Sequence, residues 1–549
     1  MRRTRFSWLI VASLVVMLLV SACTGANPTT GGTSAGPAGE KAAPQVQGNL
    51  VYASSDNPVS FNPILLTDSA SYWVAERVFS SLVNINVKLE PVGDLAIDWT
   101  ASPDGLQWTF RLRKDVKFHD GQPFTAEDVA FTYNTIKDKT YTGPYGAAFK
   151  WLDRVEVVDP YTAKFILKES YAPFITTMTF GILPKHLYDA KPVAEMKDNP
   201  ANRKPVGTGP WKFGEWVPGQ YIALTRNDSY YAEGPYIPDV RLKFVADSNV
   251  SVAQLEAGEI GAMLVPSKDV KRITSTYADK LSFYKYEGTS FEYICFNLTR
   301  PGLMDKAVRH AIAYAVDRQK MVTDILEGEA VVMDTTMAPG SWAYTTQGVT
   351  HYTADPKKSM AILEQAGYVL GTDGIYSKDG KRLSFTLITN AGHTAHESVA
   401  LLIQKELKDV GIEIKTDFIE NSVMLDKYVY PGNFDLFLSN FGSGIDPDQY
   451  SFFHSSQAQK NAQGRFVGYN RASYSNPEVD RLLEDGRKEP DKAKRAAIYA
   501  RYQQIIADDI PWLVLYSPKN TYAVKKQVKG VISGPIGPLL PRVWYSEQP

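Results

Sequence analysis

The chain has 549 residues, of which 44% are hydrophobic and 22% are charged, and its formal net charge is −1. This length exceeds what a single hydrophobic core supports, so two or three packed lobes are expected. The balance of 59 basic against 60 acidic side chains argues against a nucleic-acid partner, which requires a basic face.

The first 22 residues have the three parts of a secretory signal. Three arginines open the segment, an apolar run extends from Trp8 to Val20, and small residues lead to Cys23. The apolar run is shorter than the roughly 20 residues that a membrane-spanning helix needs, so we interpret residues 1–22 as a signal peptide. The exit resembles the bacterial lipoprotein signal. That resemblance predicts a lipid on Cys23 and anchoring at the outer face of the cytoplasmic membrane, in the periplasm or at the cell surface. The alternative is an ordinary signal with an incidental cysteine.

Residues 23–47 follow as a stretch of Gly, Ser, Thr, Pro and Ala with scarcely any large apolar side chain. Such a segment cannot bury enough surface to fold, so we predict a flexible tether. The string from Gly32 to Gly36 matches a nucleophile elbow, but no strand or helix surrounds it, and we discard it. Cys295 is the only other cysteine, which excludes an internal disulfide, and its apolar neighbours predict a buried, inert thiol.

The first half of the folded part alternates strand patterns with turn-rich loops. Thr125 and Asp128 resemble a capping box that opens a helix reaching Ile136. A helix over 251–257 ends at Gly258. The predicted strands are 50–52, 108–112, two runs within 154–167, and 240–244.

The second half has clearer periodicity. Helical spacing predicts one helix from Met304 to about Ile325. A strand at 383–387, an apolar helix face from Val399 to Val410 and a strand at 412–418 predict a parallel strand–helix–strand unit. Gly411 suits the position just past the end of that helix. The remaining predicted elements are the strand 434–439, the helices 477–486 and 490–508, and the strand 512–516.

Several ordered motifs make the chain resemble a known family. They are Asn57-Pro58 with Phe61-Asn62-Pro63, Ser102 to Arg113, Val116 to Val129, Pro205 to Trp211, Arg309 to Arg318, and Gly468 to Asp480. Together they are similar to the family 5 extracellular solute-binding proteins, the receptors of oligopeptide, dipeptide and nickel ABC importers. The likeness spans roughly residues 48–545. It implies an α/β, two-lobe clamp of the type II periplasmic-binding-protein kind, with an extra subdomain on the first lobe.

By this resemblance the lobes are assembled from separate stretches. Lobe I takes 48–75, 203–285 and 512–549, the extra subdomain takes 76–202, and lobe II takes 286–511. The resemblance also implies hinge closure on a ligand held between the lobes, followed by docking on a membrane permease, with the receptor acting as a monomer.

The resemblance places the ligand between the Asn-Pro loop, with Asn57 and Phe61, and the segment that extends the strand 434–439. In the peptide receptors of the family an extended peptide pairs with protein backbone, a role we assign to Asn440, Phe441, Gly442 and Ser443. Phe441 packs either on the ligand or in the core. The acid that often follows the aromatic in those receptors is replaced here by glycine and serine.

Asp446 is the nearest acid, and it has two interpretations. It is a candidate ligand-binding residue, but Asp446 followed by Pro447 is also typical of a helix start. The sequence from Gly444 to Ser456 resembles the receptors that bind longer peptides, so oligopeptides are the favoured ligand.

Three alternatives stay open. A nickel chelate has weak support from His393 and His396 beside Glu397, which we expect to be exposed loop residues, and no metal site or cofactor is predicted. We expect His119 and His310, which lie in family motifs, to be structural. Oligosaccharides are the second alternative. No catalytic motif has a suitable context, so we predict no enzyme, against a secreted hydrolase or a purely structural lipoprotein.

Overall fold

The computed structural model describes six stretches of the chain: 48–55, 57–146, 149–442, 444–466, 468–539 and 541–546. The predicted signal peptide 1–22, the lipidation residue Cys23, the tether 23–47 and Ser443 lie outside these residues. Within the six stretches, no helix is both long and apolar enough to span a bilayer.

A seven-stranded sheet, here called the first sheet, forms the centre of lobe I. Its strand Asn49–Ser54 runs parallel to both of its neighbours, Asp239–Phe244 and Ala262–Val265. In spatial order the strands are Leu281–Tyr286, Asn520–Lys525, Ala262–Val265, Asn49–Ser54, Asp239–Phe244, Tyr221–Arg226 and Trp211–Val217.

A six-stranded sheet, the second sheet, forms the centre of lobe II. Ser384–Asn390 pairs in parallel with both Glu413–Ile419 and Leu436–Gly442, which confirms the predicted strand–helix–strand unit. In spatial order the strands are Ala330–Val332, Trp512–Pro518, Ser290–Phe296, Leu436–Gly442, Ser384–Asn390 and Glu413–Ile419. Trp512–Pro518 therefore belongs to lobe II, and the predicted start of the last lobe I segment at residue 512 is wrong. The strand pairs with Ser290–Phe296, a partner that its local sequence does not reveal.

The extra subdomain has its own antiparallel sheet of four strands. They are Ala96–Ala101, Gln107–Leu112, Thr162–Leu167 and Leu152–Asp159, in spatial order. Its apolar side chains join those of the first sheet in one continuous core, which makes the subdomain part of lobe I. Short ladders complete the strands: Val83–Ile85 with Pro91–Gly93; Val369–Leu370, Tyr376–Lys378 and Lys381–Arg382; Val528–Lys529 with Tyr545–Ser546; and Ile532–Gly534 with Gly537–Leu539.

Helices cover the sheets, and their ends follow the capping signals. The capping box of Thr125 and Asp128 opens one of them as predicted. The α-helices are Ser69–Val78, Ala126–Lys137, Lys185–Tyr188, Ser248–Glu256, Ser267–Thr276, Lys306–Ala315, Arg318–Lys320, Pro356–Gln365, Thr394–Asp409, Asn421–Met424, Tyr450–Phe453, Pro477–Lys488 and Lys492–Asp509. Two π-helical turns, Met321–Ile325 and Leu425–Val429, follow helices directly. The 3₁₀ turns are Ala172–Thr177, Val193–Asp198, Pro200–Asn202, Ser455–Ala458 and Pro541–Val543.

The predicted single helix from Met304 to Ile325 is wrong, because the chain breaks at Val316. The backbone of Val316 is extended, with ψ of 118°, and the Asp317 carboxylate accepts a hydrogen bond from the Lys320 N–H to cap a new turn. An aspartate that bonds the backbone ahead of it competes with helix continuation. The apolar periodicity continues across this break and therefore does not report it.

The chain passes between the two sheets at two short crossings, residues 287–289 and Lys519. The Ser517 hydroxyl lies 2.7 Å from the Ser290 carbonyl and 3.2 Å from the Glu287 carbonyl, and so holds the two crossings together. Gly288 has a φ of +67°, and a Cβ at this position would lie 2.7 Å from the Asn520 amide nitrogen. This left-handed φ favours glycine at the first crossing.

Candidate functional site

The carboxyl ends of the parallel strands in both sheets lie at the edge where the chain crosses. In the second sheet Gly442 pairs with Ser290, which directly follows the first crossing. In the first sheet Val265 pairs with Thr521, just after the second crossing. Ligands of open α/β sheets bind at the carboxyl ends of parallel strands. The register therefore defines an interlobe cleft bordered by both edges and closed at one side by the crossings.

The strand Leu436–Gly442, here called the cleft strand, offers unpaired backbone to this cleft. It pairs with Ser290–Phe296 along its whole length. On its other side, the ladder to Ser384–Asn390 within the described residues includes only Leu436 and Phe437. The backbone from Ser439 to Gly442 thus has a free edge, which is the feature that lets an extended peptide add as a strand.

The predicted ligand residues on the cleft strand have different surroundings. Asn440 and Gly442 are exposed, and a Cβ added at Gly442 would meet no heavy atom within 4 Å. The half-buried ring of Phe441 lies 4.4 Å from the Phe452 ring and 5.3 Å from the Phe291 ring. Phe441 therefore packs at the lobe edge, and the open space lies above its two neighbours.

The Asn-Pro loop is anchored within lobe I. The backbone N–H groups of Val59 and Ser60 donate to the Ser71 hydroxyl, and Asn57 is exposed. Phe61 is 0% exposed and packs on the rings of Phe213 and Trp216. We therefore assign the Phe61 side chain to the core instead of to ligand contact.

Asp446 and Asp448 are both held by arginines. Both carboxylate oxygens of Asp446 accept hydrogen bonds of 2.6 Å from Arg495, and Asp448 accepts one of 2.8 Å from Arg487. Burial raises the pKa of the Asp446 carboxyl, while the Arg495 guanidinium opposes that shift. The expectation that Asp446 begins a helix is wrong, because the helix begins at Tyr450 and Asp446 instead pairs with an arginine. We call these four residues the paired cluster.

The paired cluster is also where the subdomain meets lobe II. The Arg487 guanidinium lies 3.9 Å from the Tyr450 ring centre and 5.7 Å from that of Tyr171, at the start of a subdomain turn. Tyr171 itself stacks on Trp151, with ring centres 5.0 Å apart. This contact joins the two sides of the cleft.

Of the two histidines predicted to be exposed loop residues, His393 is exposed and lies just before the helix Thr394–Asp409, whereas His396 is buried within that helix. His396 lies in the helix Thr394–Asp409, is 4% exposed, and its Nε2 is 2.7 Å from a carboxylate oxygen of Glu292. The His393 ring stacks on it with centres 3.8 Å apart, and burial, with the neighbouring His396, lowers the His393 pKa. The described residues contain no group of three or more His, Cys, Asp or Glu side chains arranged to hold a metal ion.

The other two singled-out histidines bond backbone groups. Nδ1 of His119 accepts from the Gly207 N–H, and Nε2 lies 3.0 Å from the Gly209 carbonyl. Nε2 of His310 lies 2.7 Å from the Asp508 carbonyl. Cys295 is buried and free, and burial raises its thiol pKa, which makes it a poor nucleophile.

Glu76 is a feature that sequence reasoning missed. It lies on the helix Ser69–Val78, and its side chain is exposed, yet desolvation by the surrounding protein raises its pKa against the opposing charge of Arg77. Helical periodicity on its own does not report such desolvation of an exposed side chain.

Comparisons with known proteins agree with this architecture. The family model described as bacterial extracellular solute-binding proteins, family 5 Middle, matches residues 90–464. The oligopeptide-binding protein AppA of Bacillus subtilis is 35% identical over 537 residues, covering 96% of each chain. Its structure in complex with a nonapeptide matches with a TM-score of 0.78, over 92% of this chain and 100% of that one.

Two further solved structures differ in what they bind. DppA of Helicobacter pylori in complex with the peptide STSA is 27% identical, with a TM-score of 0.76, covering 92% of this chain and 99% of that one. NikZ of Campylobacter jejuni in complex with Ni(L-His) is 27% identical, with a TM-score of 0.77, covering 91% and 99%. The same fold is thus found with peptide and with metal-chelate ligands.

Proposed function

This chain belongs to the family 5 bacterial extracellular solute-binding proteins, and from that premise we propose that it is the oligopeptide receptor of an ABC importer. The free edge of the cleft strand carries the proposal. Backbone pairing suits a receptor that accepts many sequences, because every peptide presents the same N–H and C=O pattern. The similarity to AppA, solved with a nonapeptide, supports a peptide of several residues.

We assign ligand contact to Asn440, Gly442 and Ser443, with Asn57 on the opposite lobe. Phe441 shapes the floor beneath them. The carboxylates of the paired cluster are occupied, so a positively charged ligand group needs another partner. Glu76 supplies an exposed carboxylate without a hydrogen bond to any described residue, and we assign it to a ligand ammonium, from the peptide N-terminus or a lysine.

The receptor works by binding and release without chemical change. The lobes rotate on the two crossings, and a ligand favours the closed form only through contacts that both lobes make at once. The Arg487–Tyr171 contact adds to the closed form where the subdomain meets lobe II. We propose that the closed receptor docks as a monomer on a membrane permease, and that a lipid on Cys23 keeps it beside that permease.

Thermal melting with peptides, sugars and nickel–histidine tests the ligand class. We expect nonapeptides to raise the melting temperature and to be recovered intact by mass spectrometry. Stabilisation by nickel–histidine or a sugar alone would replace the peptide assignment. Consumption of the peptide would indicate a hydrolase, and no shift with any ligand would favour a structural lipoprotein.

The Gly442→Phe substitution tests the site. Because open space lies above Gly442, the variant should fold normally and lose at least about tenfold in peptide affinity by calorimetry. Asn433→Phe is the matched control, since Asn433 is exposed beyond the other end of the same strand. Equal affinity of both variants would remove the cleft strand from the site. Transfer of the Cys23→Ser variant from the membrane to the soluble fraction would test the anchor.

A further inference from the structure

Arg471 is a buried cation whose partner is absent from the described residues. It is 8% exposed, its Nη1 has no hydrogen-bond partner among them, and none of their ion pairs includes it. Its guanidinium carbon lies 5.0, 5.4 and 5.3 Å from the ring centres of Tyr430, Phe466 and Tyr469. Burial lowers its pKa, so this surrounding disfavours the charge.

Each of the other buried arginines of the described chain donates at least one side-chain hydrogen bond, although Nε of Arg77 and Nε of Arg318 have no partner there. Arg309 donates to the Asp509 carbonyl, Arg318 to the Val514 carbonyl and Asp334, and Arg495 to the Gly486 carbonyl and Asp446. Arg77, which also stacks on an aromatic ring, donates to the Trp73 carbonyl. A guanidinium has five N–H donors. Aromatic ring faces stabilise its charge, but they do not replace the hydrogen bonds of those donors.

Arg471 lies close to the cleft strand. Phe441 on that strand contacts Phe452, whose ring centre is 5.4 Å from that of Tyr469. Tyr469 is 58% exposed, and its ring covers the Arg471 guanidinium on one side. Phe452 and Tyr469 thus connect Arg471 to the cleft strand by direct contacts.

We propose that Arg471 is the subsite for a carboxylate of the bound ligand. This inference rests on the proposed peptide-receptor function and extends it. A carboxylate matches the planar guanidinium in two parallel hydrogen bonds, and it would satisfy the donors that the protein leaves open. The carboxylate comes either from the peptide C-terminus or from an acidic side chain, and both present the same two oxygens.

Calorimetry on the full-length chain with paired ligands tests this subsite. The probes are a nonapeptide of Gly, Ser and Ala residues with a free C-terminus, its C-terminal amide, and amides that carry one glutamate at successive positions. We expect the wild type to bind at least one carboxylate-bearing probe about tenfold more tightly than the plain amide. A preference for the free acid identifies the C-terminus, and a preference for one glutamate position identifies a side chain.

The Arg471→Met variant should bind all the probes with the affinity of the plain amide. Arg471→Lys keeps the charge without the two-pronged geometry and should retain part of the preference. Arg465→Met is the control, because Arg465 lies over the same Tyr430 ring but pairs with Asp426. A full preference in Arg471→Met, or none in the wild type while peptides still bind, would overturn the inference and leave the receptor proposal standing.

Melting of the empty protein gives a readout that does not depend on peptides. Removing an unpaired buried charge should leave the melting temperature of Arg471→Met equal to or above that of the wild type. A clear loss of stability would mean that Arg471 serves the fold and would overturn the inference. If no peptide binds the wild type at all, the receptor proposal fails first, and the subsite fails with it.

Discussion

The paired cluster and Arg471 lie in the same lobe and handle buried charge in opposite ways. In the paired cluster each carboxylate is bound by an arginine at hydrogen-bond distance. Arg471 has aromatic faces around it and no bonded partner for Nη1 among the described residues. Buried polar groups in folded proteins are normally satisfied. The contrast teaches that the bonded charges of the paired cluster serve the structure, whereas Arg471 keeps the donor that our proposal gives to a ligand.

Breaking the Asp446–Arg495 pair tests the structural side of this contrast and has the largest expected effect. Asp446→Asn leaves the Arg495 side chain, 6% exposed, without its anion. We expect the free energy of unfolding, measured in urea, to fall by about 3–5 kcal/mol. Asp426→Asn is the control, because its pair with Arg465 is exposed and should cost less than about 1 kcal/mol. Similar losses in both variants would contradict the contrast.

His119 extends the contrast to a group that the fold satisfies in its neutral form. Burial lowers its pKa from 6.5 to about 4, and the hydrogen bond to Gly209 opposes the shift. Because the folded pKa lies below the unfolded one, the stability contribution is complete above pH 6.5 and is lost as the pH falls toward 4. Linkage gives a loss of about 2 kcal/mol between pH 7 and pH 5. His119→Asn should flatten the measured pH profile by that amount, and parallel profiles would refute it.

The contact between Tyr171 and Arg487 tests whether the paired cluster also acts across the cleft. Tyr171→Leu removes the ring on the subdomain side and should weaken peptide binding about fivefold, since one cation–π contact of the closed form is lost. Tyr450→Leu removes the ring on the lobe II side, which is present whether the lobes are open or closed. It should therefore change stability more than affinity. Calorimetry and small-angle scattering of both variants, with and without peptide, separate the two outcomes.

Glu76 gives the smallest expected effect and complements Arg471 with the opposite charge. Glu76→Gln should weaken binding of a free-amine or lysine-bearing peptide about threefold and leave its acetylated, lysine-free analogue unchanged. Calorimetry with the two peptides measures the difference. If both analogues lose affinity equally, Glu76 acts through the fold instead of through a ligand charge.

The sequence predicts most elements of the fold and only the backbone part of the site. Capping residues such as Thr125 and Asp128 act on backbone only a few positions away, so the start of their helix can be predicted from the sequence. The position of Trp512–Pro518 in the second sheet depends on pairing with Ser290–Phe296, which is distant in sequence, and no local pattern predicts that pairing. The sequence predicts a strand at 434–439, and the family resemblance extends it toward the ligand. Glu292, Glu76 and Arg471 are not found from the sequence, because burial, desolvation and the lack of a partner arise only in three dimensions.

The two short crossings set the cost of closing the clamp. The first crossing has three residues, which reach about 10 Å when fully extended, and the second crossing is a single residue. The two lobes therefore cannot move far apart. Because the two crossings lie next to each other, the lobes cannot slide past one another. The remaining motion is a rotation of one lobe about an axis through the crossings. The two lobes are covalently joined and do not meet by diffusion, so closure costs little orientational entropy. The affinity for a ligand then depends mainly on the contacts that the ligand makes with both lobes in the cleft.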